Sequence, residues 1–294
     1  MANPFSIVDV FSEGKYTGNP LAVVRVHKPI TDREMQQIAR EINFSETTFI
    51  LSEKINNNGY DVRIFTPSEE VPFAGHPTLG TAFVIQREII GEPVPEIHLN
   101  LQTGQIPVRL DYSDGLLKRL TMKQKTPAFS KEIGKEAVAE AISLAAADID
   151  PRFPVQEVST GLPFIIVPLK NREATKRAEL RKVPYNKLIS SLEAKGIMLF
   201  CPETEREEND LHVRMFAPYY GIEEDPATGS GNGCLAGYLA EHRYFGGGKI
   251  SLRVEQGYEI GRPSLLFLDA DDEGGAIRVE VGGEVTEVAR GILV

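Results

Sequence analysis

The spacing of apolar positions divides the chain into short strands and two kinds of helix. Phe5–Phe11 and Leu21–Val26 read as strands parted by the turn residues Gly14, Gly18 and Pro20. Thr31 and Glu34 form a capping-box signature, and Met35, Ile38, Ala39 and Ile42 recur at helical spacing. This predicts an amphipathic helix over Thr31–Ile42, lying on a surface. Thr47–Leu51 and Asp61–Phe65 return to strand. The next helix is different, because His76–Ile85 carries no charge before Arg87 and Pro77 suits a first helical turn. A helix apolar on every side has to be enclosed. Gly229–Ala240 repeats the pattern with Cys234, Leu235, Ala236, Tyr238 and Leu239, and no charge before Glu241.

Short β-like runs surround each of these helices in sequence. They are Ile97–Leu101, Ile106–Leu110 and Leu120–Lys123 in the first half, then Val155–Ser159, Phe164–Leu169, Met198–Cys201, Val213–Phe216, Lys249–Val254, Ser264–Leu268 and Ala276–Val281. Helical patterns at Lys131–Leu144 and Asn186–Lys195 would sit outside. The order also repeats. Thr17-Gly-Asn-Pro20, Arg63-Ile-Phe-Thr-Pro67 and Ala74-Gly-His-Pro-Thr78 recur as Thr160-Gly-Leu-Pro163, Arg214-Met-Phe-Ala-Pro218 and Thr228-Gly-Ser-Gly-Asn232. The pattern predicts an α+β fold of two pseudo-symmetric β-barrel-like domains, each wrapped around a central buried helix. Their expected spans are 1–124 and 125–294, with a C-terminal strand near 283–294 able to pack back onto the first.

At 294 residues each half can bury its own core. The 42 acidic and 32 basic residues give a net charge of −10, which argues against nucleic acid or anionic lipid and for a small substrate. The basic stretch Lys170–Lys182 contains no aromatic residue for base stacking and reads as a solvated face rather than an anion-docking strip. Cys201 and Cys234 fall in apolar segments and read as free thiols of a reducing interior, making the cytoplasm the expected location. The start Met1-Ala-Asn-Pro-Phe5 lacks a basic region before a long apolar one, and no run of about eighteen apolar residues occurs, so neither secretion nor membrane spanning is indicated.

Candidate chemistry gathers at the enclosed helices. The start of such a helix offers unpaired N–H groups and partial positive charge with little water to screen them, a setting that suits a ligand carboxylate. Gly75-His76 opens one helix and Gly229-Ser230-Gly231 the other. If the halves face each other across a pseudo-twofold, both starts point into one interdomain cleft. The plainer reading is that these glycines only permit tight turns.

Two carboxylates break the repeat. Glu46 has a counterpart near Gly196-Ile197, where no acid stands, and Asp225 lies in a short insertion relative to the first half. A partly desolvated glutamate can have its pKa raised into the range useful for proton transfer. Taken alone, Glu46 before a strand also fits an ordinary surface residue. His76 alone among the five histidines sits at a helix start, where positive potential favours its neutral form. His27, His98, His212 and His242 suit surface or packing roles. No His-Glu-x-x-His or Cys-x-x-Cys pattern supplies a metal-ligand set.

Ser45-Glu-Thr-Thr-Phe49, Pro72-Phe-Ala-Gly-His-Pro-Thr-Leu-Gly80 and Asp225-Pro-Ala-Thr-Gly-Ser230, together with Thr17-Gly-Asn-Pro20 and Val158-Ser-Thr-Gly-Leu-Pro163, closely resemble the PhzF family of phenazine-biosynthesis-like proteins. The resemblance implies the diaminopimelate epimerase-type fold, a homodimer and a site between the halves. The family's defining enzyme isomerises dihydro-3-hydroxyanthranilate by moving a hydrogen between ring carbons, without cofactor or metal, and the resemblance implies chemistry of that kind while leaving this chain's substrate open. Glu46 matches the family's acid/base; His76, Asp225 and Ser230 match its supporting residues. By that analogy the Gly75 and Gly229 amides, with Ser230, hold the substrate carboxylate. Gly231-Asn232 after Ser230 departs from the bulkier or apolar residues expected there, which bears on pocket shape. Two-thiol epimerases of the wider superfamily place cysteines where this chain has Ala74 and Thr228, so that chemistry is weakly supported.

The expected function is therefore a cofactor-independent isomerase moving a proton between carbons of a small carboxylated, possibly cyclic, metabolite. The alternative from another class is a non-catalytic small-molecule-binding or interaction protein on the same scaffold.

Overall fold

The computed structural model describes residues 3–273 and 275–294; the Met1-Ala2 start of the N-terminal segment lies outside the described residues. The chain divides into two compact units, Met1–Met122 with Gly282–Val294, and Lys123–Val281.

In the first unit, β1 (Asn3–Val10) pairs antiparallel with β2 (Asn19–Arg25), and β2 runs parallel to β3 (Thr47–Ile50). Between them lies helix α1 (Asp32–Ile42). Its capping box is formed as the sequence predicts: Thr31 Oγ1 accepts from the Glu34 N–H, and the Glu34 carboxylate accepts from the Thr31 N–H at 2.7 Å. Met35 and Ala39 are buried on Val24, Phe49 and Phe65, while Ile38 is partly buried there. β4 (Tyr60–Phe65) pairs antiparallel with β3 and with the short β5 (Glu70–Val71). After the central helix α2 (Gly75–Ile85), β6 (Glu96–Leu101) runs parallel to β4, and β7 (Gly104–Ser113) and β8 (Leu116–Lys123) complete a meander. The C-terminal strand Val285–Leu293 pairs antiparallel with β1.

All eleven residues of α2 are buried, as its lack of charge requires. Its two threonines find partners: Thr81 Oγ1 donates to Thr48 Oγ1 at 2.8 Å, and Thr78 Oγ1 to the Ala74 carbonyl at 2.8 Å. Close approach explains Gly80, where a Cβ would stand 2.6 Å from Leu21 Cδ2 and 2.9 Å from Val10 Cγ2. Gly80→Ala is expected to lower stability by about 1–2 kcal/mol net, overpacking outweighing alanine's gain of about 1 kcal/mol in helix propensity. A urea midpoint that rises would contradict this packing argument.

The second unit contains β9 (Ala128–Glu132), α3 (Lys135–Ala141), β10 (Gln156–Ser159), β11 (Pro163–Pro168), α4 (Arg172–Arg177), α5 (Lys182–Ile189), β12 (Gly196–Cys201), β13 (Leu211–Phe216), α6 (Gly229–Glu241), β14 (Lys249–Gln256), β15 (Ser264–Glu273) and β16 (Ala276–Gly283). β10–β11 is antiparallel, β11–β12 parallel, β12–β13 antiparallel, β13–β14 parallel and β14–β15 antiparallel. This is the alternation found from β1 to β7. The repeat seen in the sequence is thus a repeat of pairing topology. Within α6 only Ser230 and Glu241 fall outside the buried set.

Three details differ from the sequence reading. Lys131–Leu144 is not one helix: Ala128–Glu132 pairs with β10, and the helix occupies only Lys135–Ala141 after Gly134 as N-cap. The helix predicted at Asn186–Lys195 starts earlier, at Lys182, and ends at Ile189; Pro184 fits its first turn, where no intrahelical N–H bond is lost. Arg172–Arg177, read only as a charged face, is a short helix whose Asn171 Oδ1 accepts from the Ala174 N–H at 2.9 Å. Its cations do face acids, Arg172 to Glu205 and Arg177 to Asp148.

His212 on β13 is fully buried between two carboxylates, with Nδ1 2.8 Å from Glu255 and Nε2 2.8 Å from Glu259. Burial opposes its charge, yet the two hydrogen-bonded carboxylates win and hold its pKa above the ordinary value. The stability it contributes is complete below the unfolded histidine pKa of about 6.5 and is lost as pH rises through the raised native value. His212→Gln leaves both acids buried without the cation, an expected cost of about 3 kcal/mol at pH 6 by denaturant unfolding.

Candidate functional site

Glu46 and His76 meet in the first unit. α1 ends at Asn43 in the left-handed conformation (φ 57°), which turns the chain so that Glu46 immediately precedes β3. His76 is the second residue of α2, and its Nε2 lies 3.4 Å from Glu46 Oε2, with the two side chains 7% and 15% exposed. The ring's hydrogen bond goes to the Pro20 backbone, and Nε2 has no hydrogen-bond partner among the described residues. Proline has no N–H, so the Pro20 carbonyl is the acceptor and His76 Nδ1–H the donor. The ring is thereby fixed with its Nε2 lone pair toward the glutamate. Burial, opposed only by that one hydrogen bond, lowers the His76 pKa to about 3. The imidazole is neutral at neutral pH.

Helix geometry leaves the first amides of α2 without intrahelical partners. Since Pro77 has none to offer, those of Gly75 and His76 remain. At the N-cap stands Ala74, which has no exchangeable side-chain proton.

In the second unit Asp225 is 5% exposed and held on every side. Its N–H donates to the Met215 carbonyl at 3.0 Å, its carbonyl accepts from Gln256 Nε2 at 2.8 Å, and Oδ2 accepts from Thr228 Oγ1 at 2.6 Å. Gln256 is fully buried and also ties down the helix start: Oε1 accepts from the Thr228 N–H at 3.2 Å and from Asn232 Nδ2 at 2.9 Å. Asn232 Nδ2 also donates to the Thr228 carbonyl at 3.0 Å. Gly229 and Ser230 are the first two residues of α6, Gly229 buried and Ser230 partly exposed. Thus Asp225 and the amides of Gly229 and Ser230 share one short, rigid segment.

Glu46 has no twin. Strand register pairs Ala22 with Thr47 in the first unit and Ile165 with Ile197 in the second, which makes Gly196 the counterpart of Glu46. A Cβ at Gly196 would stand 2.7 Å from the Phe164 ring. The second unit therefore has neither an acid nor room for one at this position.

Neither cysteine resembles an active thiolate. Burial pushes Cys201 and Cys234 up to about 11, and Cys234 Sγ donates to the Leu162 carbonyl at 3.5 Å. Among the described residues no three His, Cys, Asp or Glu side chains cluster as a metal-ion site, and no helix is long and apolar enough to cross a membrane.

Sequence reasoning missed the Pro20 carbonyl, Thr228 as a donor to Asp225, and Gln256. Pro20 and Thr228 stand in the repeated segments, a signal that they matter but not of their partners. Gln256 lies at the end of a distant strand with no local signature.

Comparison with known proteins gives the family and the fold. The family profile for phenazine biosynthesis-like protein matches residues 8–291. The chain is 34% identical to a trans-2,3-dihydro-3-hydroxyanthranilate isomerase of Pseudomonas fluorescens, over 99% of each chain. It is 35% identical to an uncharacterized isomerase of Mesorhizobium japonicum, over 98% of each. Among solved structures, a PhzF-family phenazine biosynthesis protein of Bacillus anthracis superposes with a TM-score of 0.91 at 27% identity, covering 100% of both chains. The α+β fold is the diaminopimelate epimerase-like type that the motifs imply. By these matches the chain belongs to the phenazine biosynthesis-like, or PhzF, family and is an isomerase.

Proposed function

We propose that the protein moves a proton between two carbons of a small carboxylated, cyclic metabolite, with Glu46 as the single acid/base and no cofactor. The contact of Glu46 with a buried, neutral His76 carries this reading. A base whose neighbour cannot become a cation keeps its proton mobile, and the Nε2 lone pair of a ring locked by Pro20 is placed to accept from the Glu46 O–H once the carboxyl carries the proton. The empty counterpart at Gly196 supports one base rather than two.

In the proposed reaction the Glu46 carboxylate removes a proton from one carbon, and the C–H electron pair passes into the adjoining unsaturated system. The resulting carboxylic acid returns the proton to a second carbon. One C–H bond breaks and one forms, and a double bond shifts between them. Both carbons must lie on the face of the substrate that Glu46 reaches. His76 orients the carboxyl group, Asp225 accepts hydrogen bonds from polar substituents, and the Gly75 and Gly229 amides with Ser230 hold the substrate carboxylate. The substrate named for the Pseudomonas fluorescens relative carries these groups, which makes it the first compound to try.

The proposal includes a cytoplasmic homodimer acting on a small substrate, with neither nucleic acid nor membrane as partner. Sedimentation at micromolar concentration tests the dimer. Turnover tests the chemistry: trans-2,3-dihydro-3-hydroxyanthranilate and a panel of cyclic and amino-acid carboxylates are incubated with the protein, and products are separated by chromatography. Isomer formed from at least one compound is expected. Binding without product from any of them would favour a non-catalytic binding protein.

A further inference from the structure

The two arginines that head the repeated segments have no part in the chemistry so far, yet both make the same contact. Arg63 forks onto Glu70, with Nε to Oε1 at 2.8 Å and Nη2 to Oε2 at 2.6 Å. Arg214 forks onto Glu224, with Nε to Oε1 at 2.9 Å and Nη2 to Oε2 at 2.8 Å. Each guanidinium also lies over the phenylalanine two residues on, 5.1 Å from the Phe65 centroid and 4.8 Å from that of Phe216. Glu70 precedes Gly75 by the same distance along the chain as Glu224 precedes Gly229, so Asp225 stands opposite Val71, and the short insertion of the second half lies before Glu224 rather than at Asp225. In each unit a strand arginine therefore straps down the segment that leads into the central helix.

The second strap is more deeply buried and better anchored. Arg214 is 7% exposed, and its Nη1 donates to the carbonyls of Thr175, Lys176 and Ala178, at 2.9, 3.3 and 2.9 Å, where α4 ends. The guanidinium thus ties Glu224 to a helix terminus that does not belong to the loop. The next residue on β13, Met215, accepts from the N–H of the next residue in the loop, Asp225. Consecutive residues of β13 hold consecutive residues of the loop, one through side chains and one through main chain. Slack at Glu224 passes directly to the Asp225 carboxylate and from there, through Thr228, to the first turn of α6. Lysine could keep the charge but not the planar fork.

We infer that Arg214 and Glu224 form a positioning pair for Asp225, with Arg63 and Glu70 its counterpart for the segment carrying Gly75 and His76. This rests on the proposed reaction only for the role given to Asp225. The alternative is a buried ion pair that serves overall stability alone.

The test is amide hydrogen exchange on the intact protein, comparing wild type with Arg214→Lys and Glu224→Gln. The second variant leaves Arg214 its three carbonyls and answers the question should the first fail to fold. Exchange at the Asp225 and Thr228 amides is expected to quicken at least tenfold, with β11 and β12 amides unchanged. Unchanged exchange at Asp225, or a rise spread evenly through the unit, would overturn the inference. On a compound that the wild type isomerises, Glu224→Gln is expected to lower kcat tenfold or more with KM altered less than threefold; a higher KM at unchanged kcat would count against it. Failure of the acid/base reading stays separate, because it would leave Glu46→Gln active without altering the exchange result.

Discussion

Replacing Glu46 by Gln is expected to lower turnover on the order of a thousandfold or more, equivalent to about 4 kcal/mol of barrier, for any substrate the protein isomerises. The amide keeps the size and hydrogen-bonding shape of the carboxyl but cannot carry a proton between carbons. The unfolding midpoint should stay within a few degrees of wild type, because Glu46 is partly exposed, its neighbour His76 is neutral and the amide keeps the shape of the carboxyl. Substrate affinity should change little, since the proposed carboxylate contacts lie on Gly75, Gly229 and Ser230. Steady-state kinetics with a thermal melt reads all three quantities. Loss of activity together with loss of folding would leave the chemical role of Glu46 without support, and retained turnover would contradict it.

The second large effect is on acid stability. His76 is held near a pKa of about 3 by burial, whereas in an unfolded chain it titrates near 6.5. The stability gained by keeping the ring neutral is complete above about pH 6.5 and falls away as pH drops toward the native value. The difference sets an upper limit of about 4–5 kcal/mol for the loss over that window. His212 does not add to it, because its raised pKa makes its contribution full at low pH. Denaturant unfolding at pH 7, 5.5 and 4.5 should therefore show a decline that is much flatter in His76→Asn. Equal slopes in the two proteins would mean that His76 is not the buried neutral group described here.

What the sequence made legible was whatever the chain repeats or excludes. The absence of charge over His76–Ile85 and Gly229–Ala240 required enclosure, and both helices are enclosed. The capping box at Thr31 is a local pattern with a local partner, and it forms. The helical spacing over Lys131–Leu144 takes in Lys131 and Glu132, but pairing of Ala128–Glu132 with β10, more than twenty residues away, decides their state. Site residues that differ between the halves, Glu46 and Asp225, stood out against the repeat. Their supports did not: the His76 partner is a main-chain carbonyl at Pro20, and the side chain bracing Asp225 comes from Gln256. The arginine straps fall between these cases. Arg63 and Arg214 were visible as repeated letters, but Glu70 and Glu224 follow them at unequal spacings, so only the fold reveals them as partners.

The central claim is that one carboxyl group carries the transferred proton, and the path of that proton tests it most directly. In heavy water, wild-type protein should place deuterium on the newly protonated carbon of its product, while Glu46→Gln places none above the uncatalysed background. Incorporation by Glu46→Gln at the wild-type rate would contradict the claim.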